Sequence, residues 1–214
     1  FCWPSGLLFF SRPSQKVYMG AARRFAQSYA THPPGATQHE LYVVINGDIP
    51  RQSDERTFSP LSPKYLQHDN FGKDIGAFQK AARTIQNCDL MVFFGSHVHF
   101  RQAGWLDVMV NAYVNNGPGI YGAYAFHTPQ PHIRTTCFWM PTQLLLMYPH
   151  MVGNEFRYEF EHGAAHSIVR WITDAGFNAW QVTWKGTMPK NDWRHVENQE
   201  ALVLDQHSDR IGYR

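Results

Sequence analysis

The sequence predicts an α/β fold with a single, mostly parallel central sheet flanked by helices. Short apolar runs of strand length alternate along the chain with segments of helical period, a pattern that calls for a parallel sheet with helices on its faces. The chain has 214 residues, 43% of them hydrophobic. It is therefore long enough and apolar enough for one well-cored domain.

In the first half of the chain, strands are predicted at the apolar runs 6–10, 41–45 and 89–94. Apolar residues at helical spacing predict three helices between and after them. Their apolar faces are Tyr18, Ala22, Phe25, Ala26 and Tyr29 in the first helix, Phe78, Ala81, Ala82 and Ile85 in the second, and Trp105, Leu106, Met109, Ala112 and Tyr113 in the third. The polar stretch 50–63 carries three prolines, so we expect a surface loop there that could fold over a ligand.

In the second half, strands are predicted at residues 120–126, 135–140 and 178–184. A short helix is expected after Pro141 and a longer one at residues 162–175. The tail beyond Lys185 is polar. Two alternatives are open for it: it wraps back on the domain, or it leads to a further one.

Charge and cysteine content exclude several classes of protein. The 19 basic and 17 acidic residues are interspersed and give a net charge of +2, so a nucleic-acid partner is not expected. The three cysteines, Cys2, Cys88 and Cys137, are far apart, as in buried free thiols of a reducing compartment rather than in metal or disulfide motifs. The apolar runs are too short for a membrane span. We expect a cytoplasmic location, and a start at Phe1 that is trimmed or internal to a longer protein.

Three junctions between predicted strands and helices are rich in polar residues: 11–14, 69–77 and 95–99. Ligands of open α/β sheets bind at such junctions, where backbone amides and helix N-termini favour anions such as diphosphate. In the segment 69–77, the glycines allow close backbone approach, and polar side chains can bond a ribose, a base or a phosphate. The alternative is a capped helix start in which Asp74 satisfies first-turn amides, and composition alone favours it.

The run Asn70-Phe71-Gly72-Lys73-Asp74-Ile75-Gly76-Ala77-Phe78 resembles the Asn-x-Gly-x-Asp-x-Gly-Ala pattern of GT-A-fold glycosyltransferases, especially those related to rhamnan synthesis protein F and similar bacterial polysaccharide enzymes. The order of the predicted elements over residues 6–184 is also similar. The resemblance implies the GT-A, or nucleotide-diphospho-sugar transferase, fold in one domain over residues 1–214. Its nucleotide-binding part spans about 6–100, its acceptor part about 101–185 and its tail 186–214.

The resemblance also implies a set of residues that bind the nucleotide sugar. Those after the first strand lie beside the nucleotide, the one that ends the second strand lines its pocket, and those of the motif hold base, ribose or phosphate. The set is Ser11, Arg12, Asn46, Asn70, Gly72, Lys73, Asp74 and Ser96.

The family's metal-binding motif, an Asp-x-Asp after the central strand, falls at positions 96–99, where His97 and His99 replace the carboxylates. In an extended backbone both imidazoles would project to the same side. They could then hold a divalent ion such as manganese or zinc, which suit imidazole better than magnesium does, with His195 or His207 as a third ligand. Alternatively the two histidines bond the diphosphate or only line the pocket. Arg101 or Lys73 would then neutralise the diphosphate leaving group.

An inverting transferase needs a base to take the proton of the attacking acceptor hydroxyl. The resemblance places this base in an acidic pair at the start of the acceptor-side helix, which corresponds to Glu161 and His162. Glu161 is the first candidate, with Glu159 and His162 as alternatives. The competing interpretation of Glu161 is a helix N-terminal carboxylate that stabilises the helix dipole.

The resulting hypothesis is a glycosyltransferase that moves a sugar from a nucleoside-diphosphate sugar to a saccharide acceptor, with inversion, in polysaccharide biosynthesis. Aromatic residues crowd the second half of the chain, and one or two of them are expected to contact a sugar ring. Two alternatives stay open: a metal-dependent hydrolase that uses His97 and His99, and a non-catalytic domain that binds nucleotide or glycan.

Overall fold

The computed structural model describes residues 6–13, 19–85, 87–163, 165–195, 200–206 and 208, with the backbone alone for residues 6–13. In this part of the chain the strands are β1 (Gly6–Pro13), β2 (His39–Asn46), β3 (Lys64–His68), β4 (Leu90–Phe94), β5 (Gly119–Gly122), β6 (Ala125–Phe126), β7 (His132–Ile133), β8 (Cys137–Pro141), β9 (Asn178–Thr183) and β10 (Gly186–Pro189). The α-helices are α1 (Met19–Thr31), α2 (Gln52–Phe58), α3 (Lys73–Thr84), α4 (Trp105–Asn116), α5 (Thr142–Met147), α6 (Arg157–His162) and α7 (Ile168–Asp174).

The central sheet has eight strands in the order β10-β9-β5-β8-β4-β1-β2-β3, and β6 and β7 form a separate two-stranded sheet. Parallel pairing joins β4, β1, β2 and β3, and also β5 to β9. Strand β8 runs antiparallel to both of its neighbours, β4 and β5, and β10 runs antiparallel to β9. The predicted α/β class is confirmed, but the sheet is mixed and the prediction of a mostly parallel one was wrong.

Helices cover both faces of the sheet, which is why its central strands are apolar along their whole length. Side chains of β4 alternate between two buried clusters, with Val92 and Phe94 on one face and Met91 and Phe93 on the other. Helices α1, α2 and α4 pack on the first face, and α3, α5, α6 and α7 pack on the second. The predicted apolar stripe of α1 is buried through Ala22, Phe25, Ala26 and Tyr29, as its spacing indicated; Tyr18 lies outside the described residues.

The stretch 50–63 was predicted to be a loop over a ligand, and that prediction was wrong. It contains α2 followed by a 3₁₀ helix, Ser59–Leu61. Phe58 is fully buried against α1, and Asp54 accepts a hydrogen bond from the backbone N–H of Arg51 at 2.9 Å, which caps the start of α2. The segment is therefore a short helical stretch at the surface that is anchored to the core by Phe58.

Two predicted elements are each divided into two shorter ones. The predicted strand 120–126 is split between β5 and β6. The predicted helix 162–175 is split between the end of α6 and α7, because Gly163 is extended and ends α6, and the Ser167 hydroxyl accepts the Arg170 N–H to begin α7. Strand β3 was not predicted, because it is an edge strand with two of its five residues exposed and no apolar run.

The tail wraps back on the domain. After β10 comes a 3₁₀ helix, Lys190–His195, that buries Trp193. Residues Ala201, Leu202 and Val203 are buried in the cluster under α1 and α4, and the Tyr124 hydroxyl donates to the Val203 carbonyl at 2.5 Å. The tail thus reaches the carboxyl end of β4.

Cys88 and Cys137 are buried, and Cys2 lies outside the described residues. Burial raises the pKa of the Cys137 thiol well above its usual value, so this thiol is inert near neutral pH. In the described ranges, no helix combines the length and apolar character needed to cross a membrane.

Candidate functional site

A cavity of about 910 Å³ lies beyond the carboxyl end of β4. In an open α/β sheet this edge is where ligands bind. Its wall is built from five separate stretches: the start of α3, the loop after β4, the segment from β6 to the start of β8, helix α6 and the tail. The residues are Asp74, Gly95, Ser96, His97, Phe126, Thr128, Pro129, His132, Arg134, Thr135, Thr136, Arg157, Tyr158, Glu161, His162, Asp205 and Gln206.

A two-pronged ion pair joins α6 to the start of α3. The Arg157 guanidinium donates from Nε to Asp74 Oδ1 at 3.1 Å and from its terminal nitrogen to Asp74 Oδ2 at 2.9 Å. Burial acts to lower the pKa of Arg157, but the neighbouring acidic groups, Asp74 first and Glu161 after it, together outweigh burial, and the pKa is raised above its usual value. Arg157 also donates to Thr135 Oγ1 at 3.1 Å. The cavity therefore contains a fixed guanidinium whose position is set from two sides.

Glu161 is a buried carboxylate held by the segment that precedes β8. Its Oε2 accepts the backbone N–H of Thr135 at 2.8 Å and the Thr135 hydroxyl at 2.5 Å. The guanidinium of Arg157 lies 3.9 Å from the same oxygen. The side chain is only 8% exposed, so these donors replace the water that a carboxylate otherwise requires.

Two histidines lie against Glu161. His162 Nε2 is 3.2 Å from Glu161 Oε1, and the ring of His132 lies edge-to-face on that of His162, with centroids 4.4 Å apart. His132 Nδ1 is 2.8 Å from the Gln130 carbonyl oxygen. Because a carbonyl only accepts, Nδ1 carries a proton, and the tautomer of the neutral ring that fits this contact has its lone pair on Nε2. Burial lowers the pKa of His162 below its usual value, which favours the neutral imidazole at pH 7.

The cavity wall carries a second guanidinium–carboxylate contact. Arg134 lies 3.4 Å from Asp205 Oδ2, while Asp205 Oδ1 accepts the backbone N–H and the hydroxyl of Ser208 at 2.9 and 3.1 Å. Among the described lining residues there are three carboxylates and two guanidinium groups. With neutral histidines, this part of the wall has one negative charge in excess.

Of the predicted nucleotide-binding residues, Asp74 and Ser96 line the cavity. Ser11 and Arg12 lie at the carboxyl end of β1, but their side chains are outside the described part. Asn46 is buried, with its Oδ1 3.0 Å from His68 Nδ1. Asn70 and Lys73 are exposed and adopt positive φ in the loop that begins α3.

Gly72 has a packing role in that same loop. Its N–H donates to Asn154 Oδ1 at 2.9 Å, and a Cβ at this position would lie 2.0 Å from the Val152 carbonyl oxygen. The segment 69–77 thus contributes one side chain, Asp74, to the large cavity. Other residues of the segment, Asp69, Phe71 and Gly76, border a separate pocket of about 210 Å³.

The predicted metal pair His97 and His99 is not arranged as expected. Ser96 and His97 form a turn, so the prediction of an extended backbone was wrong. His97 lines the cavity and His99 does not; the backbone of His99 pairs with Leu204 at 3.0 and 2.9 Å. His195 ends the 3₁₀ helix of the tail, away from the lining set, and His207 is outside the described residues.

The two cations predicted to neutralise a diphosphate are also outside the cavity wall as described. Arg101 lies 3.3 Å from Glu200, and Lys73 points into solvent at the start of α3. Arg134 and Arg157 occupy the wall instead. The sequence signal for Arg134 and Arg157 was weak, since each is a single basic residue in a mixed polar run.

Glu161 and His162 line the cavity. The third predicted base, Glu159, lies outside the lining set and forms a hydrogen bond with His166. The expected position at the start of a long helix was wrong: Glu161 and His162 lie in the last turn of the short α6. A carboxylate there cannot stabilise the helix dipole, because the carboxyl end of a helix favours cations. Glu161 is held by Thr135 instead.

Sequence reasoning missed His132, Arg134, Thr135, Arg157 and Asp205. A signal was present in the dense polar run His-Ile-Arg-Thr-Thr at 132–136 and in Arg157, four residues before Glu161, a spacing that puts two helical side chains on one face. Among the aromatic residues expected to contact a sugar, Phe126 lines the cavity, and so does Tyr158, which is 70% exposed.

The fold is similar to that of nucleotidyltransferases and GT-A-like enzymes. A cytidylyltransferase from Leptospira borgpetersenii serovar Hardjo-bovis aligns at a TM-score of 0.59 and 14% identity, over 98% of this chain and 84% of the other. TarS from S. aureus aligns at 0.50 and 14% identity, over 72% of this chain and 31% of TarS.

A third similar structure is glucosyl-3-phosphoglycerate synthase from Mycobacterium tuberculosis, in complex with Mn²⁺, uridine diphosphate and phosphoglyceric acid. It aligns at a TM-score of 0.50 and 10% identity, over 73% of this chain and 64% of the other. No protein-family model matches the sequence, and no curated protein matches it significantly. At these identities the likeness describes the fold.

Proposed function

We propose that the protein is a glycosyltransferase that moves a sugar from a nucleoside-diphosphate sugar to a saccharide acceptor, with inversion. The observation that carries the proposal is the cavity beyond β4, in which two guanidinium groups, the buried Glu161 and the partly exposed His162 face one space. A fold shared with nucleotide-using transferases supports it, as does the Asn-x-Gly-x-Asp-x-Gly-Ala run that begins α3.

In the proposed reaction the acceptor oxygen attacks the anomeric carbon, and the bond from that carbon to the diphosphate oxygen breaks. Negative charge builds on the leaving diphosphate, so preorganised cations beside it lower the barrier. Arg157 and Arg134 are the described cations of the wall. Ser96, with Ser11 and Arg12 at the end of the neighbouring β1, lies on the side of the cavity that we assign to the nucleotide.

The proton of the acceptor hydroxyl passes to the Glu161–His162 pair. Glu161 supplies the negative charge, and His162 is the more accessible partner, with 34% of its side chain exposed against 8% for Glu161. The hydrogen bonds from Thr135 fix the carboxylate, so the pair is already oriented before a substrate binds. Phe126 and Tyr158 offer aromatic faces to a sugar ring.

A divalent metal ion, present in the similar synthase complex, is a proposed cofactor. Positions 96–99 do not fit the expected carboxylate motif: they contain no carboxylate, and His97 alone of the two histidines lines the cavity. No step is therefore assigned to an ion at that position.

The test is a screen of nucleoside-diphosphate sugars for binding by calorimetry and for transfer to saccharide acceptors. Glu161→Gln keeps the size of the side chain and removes its charge, so we expect turnover to fall about 100-fold or more. Glu159→Gln is the matched control on the same helix and should keep turnover near wild type. No binding and no turnover across the donor panel would contradict the proposal.

Nucleotidyl transfer is the second candidate, because the cytidylyltransferase aligns over 98% of this chain. It predicts pyrophosphate release from CTP in the presence of a sugar phosphate. That result, without glycosyl transfer from any donor, would replace the first proposal.

A further inference from the structure

We infer that His132, Glu161 and His162, here called the His–Glu–His cluster, bind a divalent transition-metal ion. The site lies on the wall formed by β7 and α6 rather than at positions 96–99. The inference is independent of the proposed reaction, because ion binding can be measured without nucleotide or acceptor.

The distances in the cluster fit a shared ion. One candidate ligand atom from each residue lies within 4.8 Å of the other two. His162 Nε2 and Glu161 Oε1 are 3.2 Å apart. Two ligands that are each about 2.1 Å from a tetrahedral ion lie about 3.4 Å from one another, so these two atoms need almost no movement to bind the same ion.

Groups outside the cluster orient two of the ligands. The Gln130 carbonyl accepts from His132 Nδ1 and leaves the Nε2 lone pair available. Thr135 donates twice to Glu161 Oε2 and leaves Oε1 facing His162. Metal-binding imidazoles and carboxylates are usually fixed in this way by a second hydrogen bond, which also makes them better ligands.

A simple hydrogen bond from His162 to Glu161 is the competing explanation, and it leaves part of the site unexplained. The hydrogen bond from His162 to Glu161 gives no role to the ring of His132, which lies against His162 at 4.4 Å between centroids. Two imidazoles and a carboxylate in contact are better satisfied by an ion than by one proton.

The charge of the wall also favours a cation. Asp74 and Asp205 each pair with an arginine of the cavity. The Glu161 carboxylate is the charge in excess, since Arg157 approaches it only to 3.9 Å. A divalent ion would make this wall positive and suited to a diphosphate or a deprotonated hydroxyl. With the ion bound, Glu161 and His162 would hold the ion instead of taking the proton of the acceptor hydroxyl, so the two roles are alternatives for this pair.

The donor set indicates the kind of metal. Two imidazole nitrogens and one carboxylate suit Zn²⁺, Mn²⁺ and similar first-row ions, whereas Mg²⁺ prefers an all-oxygen set. We therefore expect Zn²⁺ and Mn²⁺ to bind and Mg²⁺ to bind poorly.

The experiment measures ion content and affinity in the whole chain. Protein is stripped with chelator, dialysed against Zn²⁺, Mn²⁺ or Mg²⁺, and analysed by elemental mass spectrometry and calorimetry. We expect about one Zn²⁺ or Mn²⁺ per chain, and an affinity at least about tenfold weaker in His132→Gln and in His162→Gln. His97→Gln and His99→Gln are matched controls and should bind the ion as the wild type does.

Wild-type protein that binds neither Zn²⁺ nor Mn²⁺ would overturn the inference, and so would loss of the ion in the His97 and His99 variants alone. Circular dichroism of each stripped variant checks that it is folded. Because His162 is one-third exposed, His162→Gln is the variant expected to fold most like the wild type. A chain that binds the ion but turns over no donor would refute the proposed function and leave the metal site intact.

Discussion

At the scale of single residues, Gly72 and Gly104 make an informative pair. Each precedes a helix, α3 or α4, and each has a left-handed backbone with φ near +70° or +83°. Open space surrounds Gly104, where nothing lies within 4 Å of an added Cβ, while at Gly72 a Cβ would meet the Val152 carbonyl oxygen at 2.0 Å. Comparing a substitution at Gly104 with the same substitution at Gly72 therefore separates the cost of backbone strain from the cost of a steric clash.

We expect Gly104→Ala to lower the free energy of unfolding by about 1–2 kcal/mol, the cost of a left-handed alanine. Gly72→Ala should cost about 2 kcal/mol more, because the backbone at Val152 must move and the Asn154 bond to the Gly72 N–H is disturbed. Urea titration of both variants measures this difference. Equal losses of unfolding free energy in the two variants would show that the backbone at Val152 moves without an energetic cost.

Gly72 also shows what a local sequence motif cannot predict. Of the Asn-x-Gly-x-Asp-x-Gly-Ala run, Asp74 reaches the cavity. The role of Gly72, however, depends on contact with residues 152 and 154. No local pattern contains that information, because the partners are about 80 residues away.

At the scale of elements, the Asp74–Arg157 ion pair holds α6 against the start of α3. Both side chains are mostly buried, with 24% and 21% exposed. We expect the contributions of Asp74 and Arg157 to stability to depend strongly on each other, because loss of either side chain leaves the charge of the other poorly solvated. The pair therefore positions the wall that carries Glu161, four residues after Arg157.

A double-mutant cycle with Asp74→Asn and Arg157→Gln measures this coupling. We expect a coupling energy of about 2 kcal/mol in unfolding stability. Arg170 and Asp174 on α7 form the matched control, since they are 60% and 68% exposed and should couple by about 0.5 kcal/mol or less. A coupling at Asp74–Arg157 no larger than the control's would mean that other contacts hold α6.

Elements were predictable where burial leaves a regular pattern. The stripe of α1 and the apolar run of β4 are determined by the two covered faces of the sheet, so period and hydrophobicity identify them. Helix α2 has only Phe58 and Asp54 buried and lies among prolines, and β3 is a half-exposed edge strand. Their structure is set by tertiary contacts, which outweigh local sequence.

At the scale of the whole molecule, strand direction and the cavity were the least predictable features. An apolar run such as that of β8 indicates a buried strand but not its direction, and β8 runs against both neighbours. This reversal determines where the segment 132–136 lies, with His132, Arg134 and Thr135 facing α6. The cavity is therefore a product of topology, and sequence alone found only the residues that lie in recognisable motifs.

The tail completes the same cavity, which gives a prediction about the domain as a unit. Leu202 is fully buried with α1 and α4, and Asp205 and Gln206 line the cavity three and four residues later. If the tail folds cooperatively with the sheet, Leu202→Ala should lower the free energy of unfolding by about 3 kcal/mol, through lost apolar contact and a new void. For a chain of this size that corresponds to a melting temperature roughly 6–12 °C lower.

Leu146→Ala is the matched control, because Leu146 is 41% exposed and its truncation should cost about 1 kcal/mol or less. Thermal and urea unfolding followed by two probes, tryptophan fluorescence and circular dichroism, measure both variants. The tail carries Trp193, one of the seven tryptophans of the chain, so the fluorescence signal includes a contribution from the tail. A Leu202→Ala variant whose fluorescence transition precedes an unchanged circular dichroism transition would mean that the tail unfolds separately, because a cooperative domain loses both signals at one temperature.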